Sequence, residues 1–94
     1  MTDTTVVDDP DNSRFVLRVG DAIAAFAEYR DEGAAREFFH TVTEPDFRGR
    51  GLARTLVEHA LDDAEHRGLR VVPTCEYVAK VVSGEPRYQA LVDG

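Results

Sequence analysis

The sequence predicts an α/β chain of the α+β kind built on one mixed sheet. A three-stranded antiparallel meander comes first, then a crossover helix, a fourth strand parallel to the third, and a C-terminal helix. Three observations carry this. Short β-rich runs in the first half are separated by tight turn signals. From Leu52 the apolar spacing changes to that of a helix. A short valine-rich run, Leu69–Thr74, follows that helix, and a strand–helix–strand passage of this length implies a parallel pair with a right-handed crossover.

Arg14–Val19 (RFVLRV) is short and rich in β-formers, and Gly20-Asp21 marks the turn after it. Ala22–Arg30 (AIAAFAEYR) is ambiguous. Its alanines, and the spacing of Ile23, Phe26 and Tyr29, suit a helix. Its position between Gly20-Asp21 and Asp31-Glu32-Gly33 suits a strand. Ala35–Thr43, with adjacent aromatics and β-branched residues, is the third strand, and Pro45 ends it. Leu52, Leu56, Ala60 and Ala64 then form one apolar line, with Ala53, Val57 and Leu61 beside it. Gly68 is the expected C′ stop. Glu76–Ser83 suits a second helix, ended by Gly84 and Pro86, and Pro86–Val92 a last helical turn. Residues 1–13 read as a flexible acidic tail, with Val6 and Val7 available to dock on an edge, ahead of a single domain over 14–94.

Of 94 residues, 18 are acidic and 11 basic, a formal net charge of −7. Four of the acids (Asp3, Asp8, Asp9 and Asp11) sit in the first thirteen residues, which hold no Lys or Arg. A broad nucleic-acid or anionic-membrane interface would need the opposite balance. Lys80 is the only lysine, and an acid-rich, lysine-poor chain suits either a salty cytoplasm or ordinary solubility. One cysteine excludes an intrachain disulfide. No apolar run is long enough to span a bilayer, and the start of the sequence lacks signal-peptide order. The expectation is a cytoplasmic protein.

Against this acidic background, EPDFRGRGLAR (44–54) gathers three arginines and two glycines in front of the first helix. Amides at a helix start have no internal partner, and the helix dipole adds positive potential there. Glycines keep Cβ atoms out of the way, so the turn can cradle phosphate oxygens, with Arg48, Arg50 and Arg54 as charged donors. A Walker A loop is excluded because Leu52-Ala53 stands where Lys-Ser/Thr is needed. A dinucleotide fingerprint is excluded by the missing third glycine and by the meander. A plain helix start with solvated arginines is the structural alternative.

The pattern Arg48-x-x-Gly51-x-Ala53 resembles the pyrophosphate turn of the GNAT superfamily of acetyltransferases. The resemblance runs from about Phe39 to Val92 and is closest to its small, single-domain, GNAT-like group. Its ordered marks are His40-Thr41, Arg48-Gly49-Arg50-Gly51, Val71-Val72-Pro73, Cys75 and Pro86-Arg87-Tyr88. Two positions depart: Val42 stands where the group has an acid, and Glu85 where it has histidine.

The resemblance implies a minimal GNAT-like fold and acetyl-coenzyme A (coenzyme A) as co-substrate, with no metal. Phe47, Arg48, Gly49, Arg50, Gly51, Leu52, Ala53 and Arg54 would hold its pyrophosphate. The acetyl-pantetheine arm would lie where the third and fourth strands splay, with His40-Thr41-Val42 on one wall and Thr74-Cys75 on the other. Cys75, His40 and Tyr88 are the catalytic candidates. Cys75 precedes a predicted helix, whose dipole would lower a thiol pKa, and it could take the acetyl group covalently. Filling space is the competing role. His40 could serve as base or hydrogen-bond the cofactor. Tyr88 could protonate the leaving thiolate, contact the arm, or simply pack. His59 and His66 are expected to meet solvent.

Larger members carry an N-terminal helical pair beside the acceptor. Here strands begin near Arg14, so an open acceptor side is expected, suited to an amine of a small molecule or protein, or to a partner supplying the wall. Three functions follow: an acetyl-coenzyme A-dependent N-acetyltransferase, a non-catalytic coenzyme A-binding module or partner subunit, and a small interaction domain. No nucleic-acid or membrane partner is expected.

Overall fold

The computed structural model describes residues 3–93. Its elements are β1 (Thr4–Asp9), β2 (Arg14–Val19), β3 (Ala22–Glu32), β4 (Ala35–Thr43), α1 (Leu52–His66), β5 (Arg70–Pro73), α2 (Glu76–Ser83) and α3 (Pro86–Asp93). The strands lie side by side in chain order, β1 to β4 antiparallel and β5 parallel to β4. The mixed sheet expected from the sequence is therefore present. The ambiguous alanine-rich segment is strand β3. Its Ala25, Ala27 and Tyr29 alternate inward, and small side chains there let α1 lie close on the sheet.

The largest departure is at the start of the chain. Thr4–Asp9, expected within a flexible tail over 1–13, is an ordered edge strand paired with all of β2; Met1 and Thr2 lie outside the described residues. Three contacts hold it. Val6 packs against the core. Asp8 accepts a hydrogen bond from the Tyr29 hydroxyl at 2.7 Å. Asp9 takes bonds from Asn12 and Arg14. Asp8 and Asp9, two of the acids that argued for a solvated tail, each have a cation or donor waiting.

All three helices pack on one face of the sheet. Leu56, Val57, Ala60, Leu61 and Ala64 of α1 join Val78, Val81 and Val82 of α2 and Tyr88 of α3 over Phe15, Leu17, Ala25, Ala27 and Phe38. At the end of α1 the Leu69 amide bonds Ala64 O and the Gly68 amide bonds Glu65 O, the two bonds of a Schellman stop. Val7, Val16, Phe26 and Val42 lie outside this core cluster.

One irregularity positions the site. In β4, His40 pairs with Glu28 but Phe38 pairs with Tyr29, so Phe39 is an extra residue. A bulge of this kind reverses the alternation beyond it. Arg36 and Phe38 point to the helices, and after the bulge Thr41 and Thr43 do so, opposite Ala27 and Ala25. His40 and Val42 are turned to the uncovered face.

Arg36 is the one buried charged residue among those described, 5 % exposed. Its guanidinium forks onto Asp31 at 2.7 and 2.9 Å, reaches Asp63 of α1 at 3.4 Å and lies 3.9 Å over the Tyr29 ring. Tyr29 and Tyr88 are both buried, with hydroxyls donated to Asp8 and Asp62. Burial first, then the bonded carboxylate, pushes each phenol up to about 12. A raised folded-state value stabilises fully below the ordinary value of 10.0 and is lost as pH rises through about 12. There is no tryptophan, so absorbance follows tyrosine alone. Tyr29→Phe and Tyr88→Phe should each remove one late ionisation step. Ionisation of either phenol near its ordinary value while the circular dichroism stays native would contradict this arrangement.

Candidate functional site

The glycine turn is shaped by its backbone. Gly49 and Gly51 hold φ of 80° and 73°, a left-handed region that side chains rarely occupy. A Cβ at either position would meet nothing within 4 Å, so the space beside the turn is open. Gly51 is the N-cap of α1 and supplies no side-chain cap. Among the described residues, the amides of Gly49 to Arg54 have no backbone acceptor. These amides meet at the positive end of a 15-residue helix, where an anion would satisfy them.

The three arginines have different surroundings. Arg48 lies across the opening, with Nε donating to Thr43 O at 3.3 Å. Arg50 lies 5.3 Å over the Phe47 ring. Arg54 is bound along its own helix to Glu58 at 3.2 Å. Its side chain is thus partly committed, while its amide stays in the turn. Leu52 packs against the core and anchors the first turn of α1.

Beside this turn β4 outruns β5. The ladder ends at Phe38–Pro73, and the Cys75 amide makes one last bond to Phe38 O at 2.9 Å. Beyond it the chain turns into α2, leaving the edge of β4 from Thr41 to Thr43 open. A groove of about 410 Å³ fills the gap, lined by Thr41, Val42, Thr43, Arg48, Ala53 and Tyr77. A second hollow of about 190 Å³ adjoins it and reaches Phe47, Gly49, Gly51 and Leu52. Thr43, Arg48, Ala53 and Tyr77 line both. The result is one channel, from the open edge of β4 to the free amides of α1.

Cys75 is the N-cap of α2, half-buried, with Sγ 3.5 Å from Thr41 Oγ1. Burial pushes its thiol pKa up. The Thr41 hydroxyl and the amides of Val78, Tyr77 and Thr41 together outweigh that, and the net shift is downward from the ordinary 9.0. Thr41→Val should therefore slow alkylation of Cys75 by iodoacetamide several-fold at neutral pH, because one donor to the thiolate is gone. Equal rates in both proteins would show that Thr41 does not tune the thiol.

Two expected site residues lie elsewhere. The Phe39 bulge turns His40 to the uncovered face, where it is exposed, opposite Glu28 and with its ring edge-on to Phe26 at 6.5 Å. Thr41 meets Cys75 on the other side of β4. Tyr88 is 1 % exposed, with its hydroxyl bonded to Asp62 in the third turn of α1, and lines neither part of the channel. Tyr77 and Thr43 were missed as lining residues. Tyr77 was legible as the second helical residue after Cys75, on the turn that faces the gap.

Free amides at a helix start thus open into a groove along a strand edge. The family described as GCN5-related N-acetyl-transferase matches residues 14–91. The chain belongs to that family. It is 40 % identical over 53 residues to the [ribosomal protein bS18]-alanine N-acetyltransferase of Salmonella typhimurium, covering 56 % of this chain and 36 % of that protein. It is also 40 % identical over 52 residues to Protein NATD1 of Bos taurus, covering 55 % and 46 %. The chain thus spans less than half the length of these curated relatives.

Among solved structures, a GCN5-like protein of Staphylococcus aureus superposes with a TM-score of 0.73 at 19 % identity, over 97 % of this chain and 89 % of that one. That likeness concerns the fold. The ribosomal-protein-S18-alanine N-acetyltransferase of Escherichia coli gives 0.61 at 28 % identity, over 84 % and 50 %. No helix among the described residues is long and apolar enough to cross a membrane. No group of three or more His, Cys, Asp or Glu among them is placed to hold a metal.

Proposed function

We propose that the channel binds acetyl-coenzyme A and that the protein transfers its acetyl group to an amine. The observation that carries this is the continuity of the channel, from the unpaired amides of Gly49–Arg54 to Thr41, whose hydroxyl lies 3.5 Å from the Cys75 thiol. The residues present fit the co-substrate. Free amides at a helix start suit a pyrophosphate, with Arg48 and Arg50 as flanking cations. The open edge of β4 offers peptide groups to an arm that itself carries amides.

In this reading Thr41, Thr43 and Tyr77 position the arm, and Cys75 stands at its reacting end. The Cys75 thiolate attacks the thioester carbonyl and the bond to the coenzyme sulfur breaks. Coenzyme A leaves as the thiolate. The acceptor amine then attacks acetyl-Cys75, the carbon–sulfur bond breaks to restore the Cys75 thiolate, and the proton lost by the amine goes to the coenzyme A thiolate or to solvent. His40 and Tyr88 have no part in this transfer. The two S18 enzymes are named for an alanine of a ribosomal protein, so a protein N-terminal amine is the first acceptor class to test.

The test is an amide-resolved NMR titration with acetyl-coenzyme A, then mass spectrometry for acetyl-Cys75. Shifts centred on Gly49–Ala53 and an acetyl adduct on Cys75 are expected. No shift there at millimolar ligand would overturn binding. Unchanged turnover in Cys75→Ala would overturn the covalent route and leave direct transfer to the amine. A module that binds without transfer would show the shifts and release no thiol with any amine.

A further inference from the structure

The face of the sheet away from the helices has an ordered charge pattern. Directly opposed residues on adjacent strands share a face. One row across four strands is Asp9, Arg14, Glu28, His40. The neighbouring row is Val7, Val16, Phe26, Val42. None of the eight belongs to the helix-side core. Val7 is 49 % exposed and Val16 only 2 %, and the Asp9 and Arg14 side chains are 29 % and 26 % exposed.

The charged row reads negative, positive, negative, then a histidine that gains positive charge on protonation. Reversed, it is its own complement. We propose that a second copy of this chain docks on the uncovered face, about a two-fold axis parallel to the strands. Such an axis keeps each row at its own height and reverses the order of the strands. Arg14 then meets Glu28 of the second copy, and Glu28 meets its Arg14. Asp9 and His40 meet in the outer positions. In the other row Val7 faces Val42, and Phe26 comes over the position of the buried Val16. Packed sheets cross at about 30°, so the central strands β2 and β3 carry the contact. Four strands at ~4.8 Å spacing and about six residues of length give roughly 350 Å² per copy, below the ~800 Å² of a standard stable interface. The dimer is therefore expected to be weak.

The groups facing this row from other elements are few. Arg14 is already paired with Asp9 at 3.5 Å and lies 5.1 Å over Phe26, and the helices lie on the opposite side. The inference does not depend on cofactor binding, and its test uses no cofactor.

Sedimentation equilibrium of the full chain from ~20 μM to ~1 mM, at low and high salt, measures the association. Arg14→Glu alone leaves four acids facing each other, and Glu28→Arg alone leaves four cations, so each should weaken self-association at least tenfold. When the two variants are mixed, every contact between these positions again joins one acid to one cation. The mixture should form a heterodimer while neither variant forms a homodimer. A mixture that stays monomeric where the parent protein dimerises would overturn the proposal. If Arg14→Glu fails to fold, amide shifts of the parent protein on dilution serve instead. They should fall on β2 and β3 residues of the uncovered face. A monomer at ~1 mM, or shifts confined to the β1 edge or to the helices, would overturn the proposal.

Discussion

Gly51→Val is expected to lower affinity for acetyl-coenzyme A by roughly a hundredfold or more. The protein leaves open space where the new Cβ would lie, so no internal clash opposes the substitution. The cost has two other sources. At φ of 73° a β-branched residue costs about 1–2 kcal/mol, which the backbone relieves by rotating the amides that follow. The Cβ also occupies open space beside those amides. Loss of one or two bonds to a charged phosphate, each about 1.5–3 kcal/mol, gives the hundredfold figure. Calorimetric titration checks it, with circular dichroism to show that α1 is kept. Affinity within about threefold of the parent protein would mean that the pyrophosphate does not sit on this turn. Arg54→Ala should have a much smaller effect, because that side chain is held by Glu58.

The second large effect falls on stability. Arg36→Met keeps most of the volume of a buried side chain and removes its charge. The change separates Asp31 of β3 from Asp63 of α1 and strips the cation from the Tyr29 ring. Breaking a fully buried pair costs about 3–5 kcal/mol. Asp31 and Asp63 are 47 % and 27 % exposed and can rehydrate, so about 2–3 kcal/mol is expected. In a domain of this size that lowers the melting temperature by roughly 10 °C or more. The acid limb should change as well. The Arg36 guanidinium bonded to Asp31 holds its carboxyl below the ordinary 3.8. A depressed value contributes stability above the ordinary value, lost as pH falls through the folded one. The variant should lose that part of the acid dependence. Thermal melts from pH about 2 to 7 measure both effects, and an unchanged midpoint would show that the network contributes nothing.

Much of this was legible in the sequence, and what was not has identifiable causes. The helical stripe from Leu52 and the breaks at Gly68 and Gly84 are local signals, so the helices and their bounds followed. β1 was hidden because a run with two valines among acids looks solvated, and its partners (Tyr29 and Arg67) lie far along the chain. The cradle was read from its glycines and arginines. The Arg54–Glu58 spacing could also have been read as a helical pair, which removes one arginine from the count. Tyr88 was assigned by motif, yet its environment is set by Asp62, 26 residues earlier. His40 was misplaced for a different reason. Which face a strand residue takes depends on pairing phase, and no local sequence signal marks the extra residue at Phe39.

That bulge makes the chemistry of β4 depend on a count of residues as well as on their identities. Everything downstream of Phe39, including the threonine beside the thiol and the histidine on the opposite surface, sits where it does because one residue is unpaired. Substituting Phe39 preserves that count. Pairing Phe39 regularly at unchanged length would exchange the two surfaces, putting imidazole toward the channel and Thr41 outward, whereas deleting Phe39 removes the unpaired residue and leaves both surfaces as they are. The segment should thus tolerate loss of its one unpaired residue better than any change that draws Phe39 into the ladder.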